Sequence, residues 1–531
     1  MRPADHPAWL TFALVALVPL LLGAAGWFTS PPILDPDSAT GFLVWESGHD
    51  GAPWNCLREP DPADIARNHD VFLTWWSPGQ YVVPGWWRGA GFSWGQAMLL
   101  TALAGAWLQA GGCWWLARAT GLGPVAAGWL TLTATLQWHT MHQFGYFRGG
   151  EILLAAAAPW LLALAWRLRQ HACLTLVLAP GLVVLGQWLK LSALLLLVPL
   201  LTYLGLIHIG RLRARPRAAA GFVLGAAALM ALTWWGMHVV FFARGPTPAT
   251  ASAPGGWSLT LVSYSLASPW LAITGLGSLM GRVCQWLGRD GDEIWRTAGW
   301  PVLTATLVVW WAAWRGWLGP LPVELRRFIG WVLAGNIVLL ALLYARGASI
   351  SIDDRHVRPA ATLLLVGAAV TATSSARRWR RGTQAVLLTC MVYGLGAAVP
   401  REIALARIQS QSRAGFCQQE ITAAALVRLA RLTRDTPPTD TVVYVPAPEI
   451  ALEVNGARRI STDDINRDLA AVRAEHWRGR VPRLIVVVSD AMEKDGRGGA
   501  VRAAFADYPP AAWQAETAGG WWFWTAETPH V

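Results

Sequence analysis

The sequence predicts an α-helical polytopic membrane protein of about 11 transmembrane helices, followed by a small C-terminal α/β domain. Three observations predict it. Residues are 54% hydrophobic and only 14% charged, with a mean hydropathy of +0.36, whereas globular domains carry about a quarter charged residues. Long stretches, 96–117 and 217–242 among them, contain almost no Lys, Arg, Asp or Glu. The 35 tryptophans fit a chain with two membrane–water interfaces, where Trp concentrates.

Apolar runs lie near 9–28, 96–117, 122–138, 152–166, 173–188, 191–209, 217–242, 298–314, 328–345, 359–374 and 384–400. Runs of about 18 or more apolar residues read as membrane helices. The first run is longer than the usual signal-peptide core of about 7–15 residues and reads as a retained span. Alternate loops carry Arg118; Arg167 and Arg169; Arg211, Arg213, Arg215 and Arg217; Arg315, Arg326 and Arg327; and Arg377, Arg378, Arg380 and Arg381. That is 14 basic residues against one acid, Glu324. The other loops hold 12 basic residues against 14 acids. The positive-inside rule puts the arginine-rich set in the cytoplasm, with the N-terminus, and leaves the C-terminal tail outside. The same loops account for the net charge of +11, so a nucleic-acid partner is not expected.

Three segments then face the exterior: 29–95, 243–297 and the tail from 401. The second opens with flexible GPTPATASAPGG and carries an interfacial or re-entrant helix near 266–287. In the tail, TVVYVP and RLIVVVS read as buried strands, 464–477 and 498–507 as helices, and WWFWTA as an edge strand. This divides the chain into a membrane domain, 1–400, and an α/β domain, 401–531. Cys113, Cys173 and Cys390 fall in apolar spans. Cys56, Cys284 and Cys417 fall outside them, and a disulfide among these three is one reading, since spacing cannot give pairing.

Chemistry concentrates at four places. The first loop crowds Glu46, His49, Asp50, Glu59, Asp61, Asp64, His69 and Asp70 into 25 residues. Most of these read as a solvated acidic surface. In WESGHDG, Glu46 and Asp50 stand among Trp and Gly, and a carboxylate there can act as a general base or hold a divalent cation. In HTMHQFGYFRGGE, Arg148 and Glu151 stand at the mouth of a span, and His139 and His142 share a helix face, either as a two-His metal pair or with ordinary hydrogen bonds. Lys190 is the only Lys, Arg, Asp or Glu between Arg169 and Arg211. Burying it costs roughly 2.5–3.5 kcal/mol unless it snorkels or meets an anion such as phosphate. Arg355, His356 and Arg358 lie beside Asp353 and Asp354. They either neutralise one another or hold a phosphate, which guanidinium grips with two parallel bonds.

Together these features resemble the GT-C superfamily of integral-membrane glycosyltransferases, in particular the protein O-mannosyltransferase and aminoarabinose transferase group. WSPGQYVVPG, with Ser77, Pro78 and Tyr81, occupies the place of that group's His-Pro-Pro-Leu-Tyr segment before the second span. GQWLKLSALLLLVP resembles its Gly…Leu-Thr-Lys motif, and RHVRPA its Arg-Tyr-x-x-Pro. The departures are the missing histidine at Ser77 and the separation of Glu46 from Asp50 where the family has an acidic doublet. The resemblance implies an inverting transfer of a sugar from a polyprenyl-phosphate donor to a glycan, lipid or protein acceptor, at the outer face of a bacterial inner membrane. It also implies Asp50 or Glu46 as base or metal ligand, Arg148, Lys190, Arg355, His356 and Arg358 around the donor phosphate, and Glu151, with His142, orienting either the acceptor or Arg148. A multi-span lipid or solute transporter, or a non-catalytic assembly protein, would share the gross features. A transporter more often shows inverted repeats, and none is visible here.

Overall fold

A computed structural model describes residues 6–74, 76–245, 259–289, 299–348, 350, 353–374, 376–407, 412–434, 439–462 and 469–528. All eleven apolar runs fold as helices: α1 (His6–Phe28), α4 (Trp94–Ala119), α5 (Pro124–Leu136), α7 (Gly149–Leu168), α8 (Ala172–Leu189), α9 (Leu194–Leu212), α10 (Pro216–Val240), α13 (Gly299–Ala313), α14 (Val323–Ala345), α15 (Arg358–Ala372) and α16 (Arg377–Ala406). Among the described residues, seven helices are long and apolar enough to cross a membrane by length and composition. Of the segment read as flexible, 245–256, residues 246–256 lie outside the described residues.

The helix expected near 266–287 divides in two. Apolar α11 (Leu259–Thr274) packs against α13, α14 and α15, and amphipathic α12 (Leu276–Trp286) follows it. The break falls at Gly275, whose φ of 72° is a left-handed conformation that favours glycine. Helix α4 is started by its sequence. Ser93 accepts from the Gln96 amide at 3.2 Å and the Gln96 side chain accepts from the Ser93 amide at 3.0 Å, a reciprocal cap.

Short elements fill the end of the bundle below the C-terminal sheet. They are β1 (Ile33–Leu34), α2 (Pro36–His49), the hairpin β2 (Cys56–Asp61) and β3 (Asp64–Phe72), α3 (Gly79–Gly89), α6 (Trp138–Met141) and β4 (Tyr146–Phe147). Strand β1 pairs in parallel with β4, which ties the start of α2 to the start of α7. Phe42 on α2 stacks on Trp94 with ring centroids 4.0 Å apart, both rings fully buried. Stripping that much aromatic surface from water fixes α2 between the bundle and the sheet.

The tail folds as a five-stranded mixed sheet in the order β6-β5-β7-β9-β8, formed by β5 (Thr441–Val445), β6 (Arg458–Ser461), β7 (Arg483–Ser489), β8 (Trp513–Ala518) and β9 (Trp521–Glu527). WWFWTA therefore lies inside the sheet, paired on both sides, and the edge is the more polar β8. That choice is physical, because an exposed aromatic edge would invite pairing with another chain. Residues 464–468 of the expected helix 464–477 lie outside the described set, and 469–474 and 497–504 are helical. The expected boundary at 401 falls inside α16, which continues to Ala406. The two parts also interlock: the Ile65 amide donates to the Arg478 carbonyl at 2.7 Å, and Ile65 is buried in the sheet's own core. All six cysteines are unpaired, so no disulfide joins Cys56, Cys284 or Cys417.

Candidate functional site: a charged junction between a polar cavity and an apolar groove

Two hollows meet at the sheet-bearing end of the helical bundle. A polar cavity of about 390 Å³ is lined by Trp138, His139, Arg148, Tyr264, Ser278 and Asp353, among others. An adjoining groove of about 440 Å³ is apolar along Leu194, Val198, Leu339 and Leu343, and polar at the end where Asp35, Asp37 and His356 stand. Glu151, Lys190 and Arg355 line both. The geometry is that of a two-part ligand, one part water-loving and one part aliphatic, joined at a charged group.

The junction is assembled from four separate stretches. Glu151 enters on the first turn of α7, whose Gly149-Gly150 start has a packing reason: a Cβ on Gly149 would sit 2.5 Å from the Gln80 carbonyl oxygen. Lys190 ends α8 and forms an ion pair with Glu151. Arg355 reaches the same carboxylate at 3.2 Å and Asp353 at 3.1 Å. Arg148 lies 3.4 Å from both Asp353 and Asp35. Removing one member of so enclosed a network strands a charge, at a cost of about 3–5 kcal/mol.

Asp35 and Asp37 enter from the start of α2 and were not singled out in the sequence. Asp35 is committed: the Tyr146 hydroxyl donates to it at 2.9 Å, and Arg148 stands beside it. Asp37 has no hydrogen-bond or ion-pair partner among the described residues. Burial first, and then the Asp35 carboxylate, push its pKa up to about 7, against the pull of Arg355. Asp353 goes the other way. Burial opposes its ionisation, yet Arg355, Arg148 and His356 hold its pKa well below the usual carboxylate range. Burial, with Lys190 and Arg355 nearby, drives His356 down to about 3, so its ring is neutral at physiological pH and adds no cation. The signal for the missed pair was present, since Asp35-Pro36-Asp37 follows the first apolar run by only seven residues.

The other expected residues divide. Arg148, Glu151, Lys190, Arg355 and His356 come together at the junction. Arg358 lines the polar cavity, but its guanidinium is buried on Thr140 and Gln109, the latter at 3.3 Å. His142 is stacked between Trp138 and Tyr146, and His139 sits 3.5 Å from Asp354, so the two rings do not converge on a common ligand. No three His, Cys, Asp or Glu side chains form a metal-holding group among the described residues. Ser77 lines the groove with an unpartnered, buried Oγ; Pro78 caps α3; Tyr81 donates to Asn55 at 2.5 Å.

Glu46 and Asp50 are not brought to the junction. Both line a separate cleft beneath the sheet. Glu46 is held by Arg459 at 2.7 Å and by the Trp94 indole N–H at 3.1 Å, and Asp50 is exposed at the end of α2. The rest of the acidic loop is a surface of the β2–β3 hairpin: Asp70 pairs with Arg58 at 2.9 Å, Asp64 with Arg67 at 3.3 Å, and His69 stands 3.5 Å from Glu59.

No protein-family model and no curated protein matches this chain. Among solved structures, the crystal structure of ArnT from Cupriavidus metallidurans in the apo state is similar, with a TM-score of 0.55 at 13% identity over 97% of each chain. ArnT of the same organism bound to undecaprenyl phosphate aligns with a TM-score of 0.56 at 13% identity, over 97% of this chain and 98% of that one. The likeness covers nearly the whole length of the chain, through the helical bundle and the C-terminal sheet alike, and it is a likeness of fold: this chain has the fold seen in the ArnT structures.

Proposed function

We propose that the protein is an inverting glycosyltransferase that takes a sugar from a polyprenyl-phosphate carrier. The observation that carries this reading is the junction itself. Three cations, Arg148, Lys190 and Arg355, stand where an apolar groove meets a polar cavity, and an uncommitted carboxylate, Asp37, lines the same groove. The likeness to a structure that holds undecaprenyl phosphate supports the same ligand class.

In this reading the prenyl tail lies along Leu194, Val198, Leu339 and Leu343, and the phosphate reaches Lys190 and Arg355. The acceptor hydroxyl loses its proton to Asp37 as its oxygen bonds to the anomeric carbon. The bond from that carbon to the phosphate oxygen breaks, and the electron pair leaves with the lipid phosphate. Direct displacement inverts the anomeric centre. Lys190, Arg355 and Arg148 stabilise the charge that grows on the leaving phosphate, an electrostatic effect that is strongest where water is excluded. A carboxylate near pKa 7 is suited to a general base at neutral pH. The arginine-rich loops support the orientation expected from the sequence, with the sheet-bearing end outside the cytoplasm of a bacterial inner membrane.

The test has two parts. Purified protein should bind undecaprenyl phosphate by native mass spectrometry, and Lys190→Ala should weaken that binding. With a panel of polyprenyl-phosphate monosaccharides, the wild type should release polyprenyl phosphate and Asp37→Asn should not. Undiminished release by Asp37→Asn would remove the proposed base.

A further inference from the structure

Larger than either hollow of the junction is a cleft of about 850 Å³ beneath the sheet. Its walls come from the end of α2, the β2–β3 hairpin, α3 and the segment leading into β6. Five arginines line it, Arg58, Arg88, Arg413, Arg458 and Arg459, against two acids, Glu46 and Asp50. Two of the five are neutralised: Arg58 by Asp70 at 2.9 Å and Arg459 by Glu46 at 2.7 Å.

The other three have no carboxylate within ion-pair distance among the described residues. Arg88 donates to the Phe92 carbonyl at 3.2 Å. Arg458 meets only neutral oxygens, those of Arg67, Asn68 and Thr439, at 3.2–3.4 Å. The Arg413 side chain is exposed and has no hydrogen-bond or ion-pair partner among the described residues. Carboxylates stand farther off, Glu453 near Arg413 and Asp64 and Asp440 near Arg458, but none pairs directly with these three guanidinium groups, which leaves them free to grip a phosphate or carboxylate in a planar, two-toothed way.

Position ties the cleft to the junction. Helix α2 begins beside Asp37 and ends in the cleft at Glu46, His49 and Asp50. Nine residues separate Asp37 from Glu46, which at the rise of an α-helix is roughly 13 Å. The mouth of the cleft includes Arg88 and Gly89 on α3, two residues beyond Trp86, which is 60% exposed. An exposed tryptophan on an amphipathic helix marks the headgroup level of a bilayer.

We infer that this cleft binds an acidic group of the acceptor, and that the acceptor is an acidic glycan that reaches from the cleft to Asp37. The inference rests on the glycosyltransferase reading and names its second substrate class. A span of roughly 13 Å along α2 is that of two to three sugar units. A phosphate or a carboxylate would satisfy the same arginines.

The experiment measures binding of soluble oligosaccharides to the full chain in detergent, with undecaprenyl phosphate measured in parallel. The probes are trigalacturonate, a phosphorylated oligosaccharide of similar length, neutral maltotriose, and hexaglutamate as an acidic peptide. One or both acidic saccharides should bind at least tenfold more tightly than maltotriose. Arg413→Gln and Arg88→Gln should each reduce that preference severalfold and leave undecaprenyl phosphate binding as it is. Because Arg413 is exposed, and buried Glu453 keeps its hydrogen bonds from Ser412 and from the Arg413 and Ala414 amides, Arg413→Gln removes the charge without breaking a direct contact. Equal binding of acidic and neutral saccharides, or an unchanged preference in both variants, would overturn the inference. So would capture of hexaglutamate alone, which would move the site to an acidic peptide. If undecaprenyl phosphate binds and no acidic saccharide does, the acceptor inference fails while the donor reading stands. The reverse result would sink the donor reading instead.

Discussion

The junction and the cleft both gather acids and arginines, yet they differ in how the charges are held. At the junction, Glu151 is shared by Lys190 and Arg355, and Arg148 bridges Asp35 and Asp353, all on enclosed side chains beside an aliphatic groove. In the cleft the hollow is about twice as large, and arginines outnumber acids. Enclosure makes the first arrangement chemically consequential. Desolvation there moves Asp37 to about 7 and drives His356 to about 3. The cleft offers field and reach, which suit recognition. Under the proposed reaction, density of acidic residues along a loop is a poor guide to a base. What matters is whether the fold removes water from one of them.

Four experiments test that contrast. The largest effect should follow from Asp37→Asn: sugar release should fall by about 10²–10⁴-fold, the range for loss of a general base. Stability should hold or rise, because burial disfavours the ionised carboxylate that the substitution removes. Denaturation followed beside turnover separates the two.

Next, Lys190→Ala should weaken undecaprenyl phosphate binding by roughly ten- to a hundredfold, the loss of one charged contact of about 1.5–3 kcal/mol. It should also destabilise the fold by about 3–5 kcal/mol, because Glu151 would lose its nearest cation. Lys190→Arg should restore part of the binding. A Lys190→Ala protein that binds the lipid normally would place the phosphate elsewhere.

The third is the pH profile. Asp37 keeps its proton below about 7 and loses it above. Release should therefore rise nearly tenfold per pH unit below 7 and level off above it, and a rate flat from pH 5 to 8 would contradict the assignment. The smallest effect should come from the cleft. Asp50→Asn should change release of polyprenyl phosphate by less than about twofold, since exposed charges far from the reacting atoms are screened. Glu46→Gln should cost only about 0–1 kcal/mol of stability, the usual worth of a partly exposed ion pair. A large loss in Asp50→Asn would return the base to the place the sequence suggested.

Much of the fold was legible in the chain. Apolar runs mark helices wherever charge is absent, and α4 and α7 needed nothing more. Arg148, Glu151, Lys190 and Arg355 were legible for the complementary reason, since a charge beside an apolar span is costly and is kept only with a partner. That Glu46 and Asp50 lie in a separate cleft was not legible, because the pairing of the β2–β3 hairpin, and the swing of α2 under the sheet, cannot be read from local composition. Asp35 and Asp37 were overlooked because two isolated acids beside a proline also fit an ordinary helix start. Only the parallel pairing of β1 with β4 brings them to the foot of α7. The interior position of β9 was hidden for a similar reason: its neighbours are set by long-range register.

In the proposed reaction a lipid phosphate lies among Lys190, Arg355 and Arg148, beside Asp37. A structure of this protein with undecaprenyl phosphate tests it most directly. Phosphate oxygens are expected within hydrogen-bond distance of Lys190 Nζ and the Arg355 guanidinium, with the prenyl chain lying along Leu194, Val198, Leu339 and Leu343. A phosphate seated instead among Arg88, Arg413 and Arg458 would contradict it and exchange the roles of the two hollows.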